Sequence, residues 1–224
     1  DVDYEINPSL FGHYPNKPTF FYFKNMPLLP LDPAVVKDKV VELLNLYGNV
    51  VSTPMQEQII ELCKLFNYSI ECNQSDFHRM FVYAAQTGIS KSLSLQTYIS
   101  MLETHSSLVI VSKVDEAIAY CKFINEQSSD DNYARCYYAL SNKNTSSNLR
   151  VNTYELKNHR CIVISHSMFK RISQQDDSID EYRLFNGNQR DLVVIDEKIP
   201  LYEKTLFSKK ELTNLLDKIF LIFN

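Results

Sequence analysis

The residues best suited to chemistry begin at Ala85-Gln-Thr-Gly-Ile-Ser-Lys-Ser92. Small residues in such a loop let the backbone N–H groups of Thr87, Gly88, Ile89 and Ser90 wrap phosphate oxygens. The Lys91 ammonium can then reach the β and γ phosphates, and the Ser92 hydroxyl is of the type that ligates Mg2+. Two positions depart from the eight-residue phosphate-loop pattern: Ala85 replaces its first Gly and Ser90 its second. A second feature is Leu192-Val-Val-Ile-Asp-Glu197, an apolar run ending in two acids. In a parallel sheet, ligands bind beyond the carboxyl ends of the strands. There Asp196 can hold Mg2+, directly or through water, and Glu197 can orient and deprotonate an attacking water. A third is Thr53-Pro-Met-Gln56, whose Gln amide can read an adenine edge, with Gln58 as its competitor. Ser165-His166-Ser167 invites a serine-hydrolase reading. It lacks the G-x-S-x-G elbow, and neighbours on a strand point to opposite faces, so that reading is set aside.

These residues need elements to hold them. Six of the eight prolines lie in the first 33 residues, which predicts an irregular arm with one apolar stretch, Thr19–Phe23. Asp32-Pro33 reads as an N-cap followed by Pro at the first helical position. Val36, Val40, Val41, Leu43, Leu44 and Tyr47 recur at helical spacing until Gly48. A second helix is expected over Pro54–Phe66. From there the chain alternates: a strand at Arg79–Ala84, a helix at Lys91–Glu103, a strand at Leu108–Ser112 and a helix at Val114–Asn125. Further strands are expected at Cys136–Ala139, Cys161–Ser165 and Leu192–Ile195. A helix from Leu206 onward has Ser208 and Glu211 as a capping box. The β-branched runs are typical of strands buried on both faces, so the alternation predicts a parallel sheet wrapped by helices. Segments 126–149 and 173–190 read as polar surface loops.

Composition narrows the classes. The 224 residues are 45% hydrophobic and 22% charged, with a net charge of −4, which is ordinary for a globular chain and argues against a polycation that coats nucleic acid. No stretch has the length of a membrane span, and the first residues have neither the basic nor the apolar region of a secretory leader, so neither is expected. The five cysteines contain no CxxC and the five histidines no HExxH. Reduced cysteines in a cytoplasmic protein are expected, rather than a disulfide framework or a zinc site.

The loop ending in Lys91-Ser92, followed by an apolar strand ending in Asp196-Glu197, resembles motifs I and II of superfamily 1/2 helicases and translocases, the DExx-box (DEAD/DEAH-type) ATPases. Thr53-Pro-Met-Gln56 is similar to their adenine-reading Q-motif. Leu108–Ser112 sits where motif Ia falls, and Ile164-Ser-His166 resembles a strand-end element of many such helicases. The resemblance covers roughly residues 50–200 and implies an α/β, RecA-like P-loop NTPase domain with a mainly parallel sheet. On this view residues 1–50 form an N-terminal arm and helix, and residues 51–224 the nucleotide-binding domain. ATP and Mg2+ are the implied cofactors. Contact with a nucleic-acid backbone is implied for Ser112, Lys113, His166 and Ser167. The family's motif III and second RecA-like domain, with its arginine finger, do not fit after Glu197. The chain is therefore expected to be the first motor domain of a longer helicase-like protein. The rival expectation is a degenerate phosphate-loop fold used as a binding or scaffolding module. A small kinase is a third, and the adjacent Asp-Glu, which suits water attack, argues against it. Ser90 is expected where a Cβ is unwelcome. A positive φ there costs about 1–2 kcal/mol, or roughly 5- to 30-fold in nucleotide affinity.

Overall fold

The computed structural model describes residues 4–6, 19–21, 31–74, 81–83, 90–139, 148–173 and 179–197. Strands β1 (Tyr4–Ile6) and β2 (Thr19–Phe21) pair antiparallel, so the arm read as irregular holds a short ladder. Helix α1 (Pro33–Leu46) starts at its expected cap, where the Ala34 N–H donates to Asp32 Oδ1 at 2.8 Å. It ends before Gly48, whose φ of +75° lets the chain turn away. Helix α2 (Thr53–Gln74) outruns the expected end at Phe66. The reason is a continuous buried stripe of Ile59, Leu62, Cys63, Phe66 and Ile70.

Residues 81–83, the described part of the strand expected at 79–84, are not in a strand. Their side chains engage α2 instead. The Phe81 ring meets Tyr68 edge-on at 5.1 Å, and the Tyr83 hydroxyl donates to the Gln58 carbonyl at 3.2 Å. The helix expected from Leu206 lies outside the described residues.

Helix α3 (Lys91–Met101), strand β3 (Ser107–Val111) and helix α4 (Val114–Gln127) follow the expected alternation. Strand β4 (Ala134–Tyr137) begins earlier than expected because buried Asn125 clamps its first residue. Asn125 Nδ2 donates to the Ala134 carbonyl at 3.1 Å, and the Ala134 N–H donates back to Asn125 Oδ1 at 2.7 Å. A 3-10 turn (Thr153–Asn158), strand β5 (Cys161–Ser165) and helix α5 (His166–Ser173) come next. The expected loop at 173–190 contains helix α6 (Ile179–Arg183) and a two-stranded hairpin, β6 (Leu184–Phe185) and β7 (Asn188–Gln189). Its turn, Asn186-Gly187, has φ of 49° and 85°, the signature of a tight hairpin. Strand β8 (Leu192–Ile195) completes the sheet.

That sheet is four-stranded, ordered β4-β5-β3-β8, and every pair in it is parallel. Val109 and Val111 of β3 with Cys161 and Val163 of β5 face one apolar cluster, which α1, α2, α3 and α4 complete. Leu108, Ile110, Ile162 and Ile164 face the second, with Met168 and Ile172 of α5 and Tyr182 of α6. The architecture is therefore α/β, a parallel sheet flanked by helices on both faces. Val36, Val40 and Leu44 of α1 share a cluster with α2 and α3, so the core runs across the boundary expected at residue 50.

Candidate functional site

The carboxyl ends of the strands line up in one row. Ser165 of β5 lies opposite Val111 of β3, and Ile110 of β3 lies opposite Ile195 of β8. Asp196 is thus the first residue past β8 at that edge, pinned by its N–H to the Ile110 carbonyl at 2.9 Å. Glu197 follows in a left-handed conformation, φ 77°, and is exposed.

Helix α3 delivers its first turn to the same place. Ser92 Oγ donates to Asp196 Oδ2 at 2.7 Å, joining residues 104 apart in the chain. Lys91 is the first residue of that helix and is half-buried. Immediately before it, Ser90 adopts φ 59°, ψ 33°, the left-handed region. Its carbonyl is held twice by Ser94, through the N–H at 2.8 Å and the hydroxyl at 2.9 Å. The position that the sequence marks as uncomfortable for a Cβ is left-handed here, as expected. Thr87, Gly88 and Ile89 lie outside the described residues.

A residue that no motif singled out completes the cluster. The hydroxyl of Tyr120, on α4 and 5% exposed, donates to the same Asp196 Oδ2. Burial first, and the Asp196 carboxylate second, push its phenol above the ordinary tyrosine range, so it stays protonated and remains a donor. In sequence Tyr120 belongs to the apolar stripe of Ala117, Cys121 and Ile124 and reads only as core.

Gln56 sits half-buried in the first turn of α2. The Tyr83 bond to Gln58 brings the segment that precedes the phosphate-loop residues against this same end of α2. Of the four residues implied for nucleic-acid contact, Lys113 and Ser167 are exposed. Ser112 is engaged in capping α4. Glu116 Oε2 accepts from its hydroxyl at 2.6 Å and its N–H at 3.1 Å, and from the Lys113 N–H at 3.3 Å. His166 is 7% exposed, drawn into the start of α5. Ser165 and Ser167 share a hydrogen bond at 2.9 Å, and the Met168 N–H donates to Ser165 Oγ at 3.3 Å, so this serine pair caps α5.

A hydroxyl beside a carboxylate is a hard-oxygen donor set, and such oxygens suit Mg2+. Ser92 donates one proton to Asp196 and keeps lone pairs for a cation. Among the described residues no group of three or more His, Cys, Asp or Glu forms a cage of its own. Ser92 and Asp196 are oxygen donors of the kind that Mg2+ accepts, an ion that commonly completes its shell with phosphate and water.

None of the five cysteines is disulfide-bonded. Among the described residues no helix is long and apolar enough to cross a membrane. No protein-family model, curated protein or solved structure matches the chain.

Proposed function

We propose that the chain is the nucleotide-binding motor domain of a helicase- or translocase-like ATPase, RecA-like in fold, that couples ATP hydrolysis to remodelling of nucleic acid. The observation that carries this reading is the 2.7 Å hydrogen bond between Ser92, at the start of a helix, and Asp196, at the carboxyl end of a parallel strand. A hydroxyl in the first turn of a helix, bonded to a strand-end carboxylate and preceded by Lys91, supports this reading because terminal phosphates and their cation favour such a helix start.

In this reading Lys91 neutralises the β and γ phosphates, and the backbone of Thr87, Gly88, Ile89 and Ser90 cradles them. Ser92 and Asp196 would hold Mg2+, which would supply charge stabilisation at the phosphates. Glu197, exposed just past Asp196, orients and deprotonates the attacking water. Gln56 reads the adenine. A positive charge is also required on the far side of the phosphoryl group, because charge there builds in the transition state. An Arg from a second RecA-like domain is the partner that meets the need. Lys113 and Ser167 are exposed points for a nucleic-acid backbone at this sheet edge, with Ser112 capping α4 behind them and His166 buried at the start of α5.

One observation favours a second reading, a binding or scaffolding module with a vestigial site. Ser90 holds a left-handed conformation whose strain Gly would not carry. Displacement of a fluorescent ATP analogue separates the two. Under the motor reading, ATP and ADP displace it with Mg2+ present, GTP does so less well, and Gln56→Ala erases that preference. Failure of the analogue to bind at all selects the scaffold.

A further inference from the structure

Asp196 receives two hydroxyl donors on one oxygen, and they come from different helices. Ser92 belongs to α3 and reaches Oδ2 at 2.7 Å. Tyr120 belongs to α4 and reaches the same atom from within the core. A carboxylate just past a strand end has two free torsions, and one hydroxyl leaves its plane free to swing. Two donors from separate helices fix both its position and its plane.

We propose that Tyr120 is a positioning residue for the divalent cation: it fixes the Asp196 carboxylate so that the Ser92 hydroxyl stands oriented for metal ligation. This deepens the nucleotide reading and rests on it. Tyr120 does not touch the cation or the phosphates. It acts through Asp196, as partners outside a metal's ligand shell commonly set ligand orientation and tune affinity. The carboxylate needs a donor with no charge of its own, and a buried phenol meets that need. A surface Lys would neutralise the carboxylate and compete with the cation. The location is also specific. Tyr120 stands one helical turn beyond Glu116, whose carboxylate caps the start of α4 by accepting from Ser112 and Lys113.

The test uses the fluorescent ATP analogue with Mg2+ titrated from zero, on wild type and Tyr120→Phe. Phe keeps the ring in the core and deletes only the hydroxyl. The expected result is unchanged affinity without Mg2+, and a Mg2+ midpoint raised about tenfold or more, in line with loss of one hydrogen bond to a charged group. A merely structural role would move both affinities together. Equal Mg2+ midpoints in the two proteins overturn the inference while leaving the nucleotide reading intact. A wild type that binds no analogue, with or without Mg2+, overturns the nucleotide reading and this inference with it. Should Tyr120→Phe fail to fold, 3-fluorotyrosine placed at position 120 alone gives a second readout. Its fluorine resonance is expected to shift when Mg2+ is added to the nucleotide-loaded protein, and a resonance that stays put overturns the inference.

Discussion

Ser90 concentrates the tension in this site. A left-handed Ser costs about 1–2 kcal/mol relative to an ordinary backbone. It makes no capping hydrogen bond of its own, and the double hold of Ser94 on its carbonyl keeps the backbone where it is. The sequence reading placed the cost of this strain in nucleotide affinity. The Ser94 contacts make it a property of the fold itself, so its relief belongs to stability as well. Ser90→Gly removes the strain but adds about 0.5–1 kcal/mol of unfolded-state entropy. The net gain is between about zero and 1.5 kcal/mol, and for a chain of this length each kcal/mol raises Tm by about 2–4 °C. A calorimetric melt checks it, and a lower Tm for Ser90→Gly means residue 90 is not strained. The meeting of Ser92 with Asp196 was legible because both stand at strand–helix junctions of the expected alternation, which puts them at one sheet edge. Tyr120 was not, because a phenol on the buried stripe of a helix looks identical whether its hydroxyl meets a carboxylate or a backbone carbonyl.

Elements at the opposite, amino-terminal edge of the sheet hold the site in register from behind. Arg190, 1% exposed, donates to the carbonyls of Tyr182 at 2.8 Å, Leu156 at 3.0 Å, His159 at 3.0 Å, Arg160 at 2.9 Å and Ser107 at 3.3 Å. It thereby ties α6, the 3-10 turn and the entries to β5 and β3 together just before β8. Burial pulls its guanidinium down to about 10, yet it remains charged at neutral pH. Arg190→Met strips donors from several buried carbonyls at once. It is expected to destabilise the fold by about 3 kcal/mol or more, read as a lower denaturant midpoint. A change under about 0.5 kcal/mol contradicts that role. His159, beside the same turn, titrates below the ordinary histidine value, first because of burial and then because Arg135 is near. Its folded value is depressed, so its contribution is present above about pH 6.5 and is lost as pH falls through the lower folded value. A small loss of stability below about pH 6.5 is expected in urea titrations, and His159→Gln flattens it. A slope unchanged by the substitution assigns the effect elsewhere. Local signals found most elements. Asp32-Pro33 marked the start of α1, and unbroken β-branched runs marked β3, β5 and β8. Competing contacts hid the rest. Residues 81–83 follow a strand-like pattern, yet their aromatic side chains pack on α2. Asn125 sets the start of β4 from outside the strand. The Asn186-Gly187 hairpin signal was present but submerged in a polar stretch.

At the scale of the molecule, the sheet order explains how residues remote in sequence become one site. β8 lies beside β3, α4 follows β3, and α3 packs on α4, so Asp196, Tyr120 and Ser92 meet across three elements. The α/β class was readable from the alternation alone. The order β4-β5-β3-β8 was not, because a parallel sheet carries no local mark of which strand neighbours which. The central claim is that this meeting point binds a nucleoside triphosphate with Mg2+. Titration calorimetry with a non-hydrolysable ATP analogue tests it most directly, with Mg2+ or with chelator, on wild type and Lys91→Ala. The account predicts binding by the wild type with a Kd below about 1 mM, weakened severalfold without Mg2+. It also predicts a loss of about tenfold or more in Lys91→Ala, from charge-assisted hydrogen bonds to phosphate. No binding heat from the wild type, or equal affinity in Lys91→Ala, would contradict it.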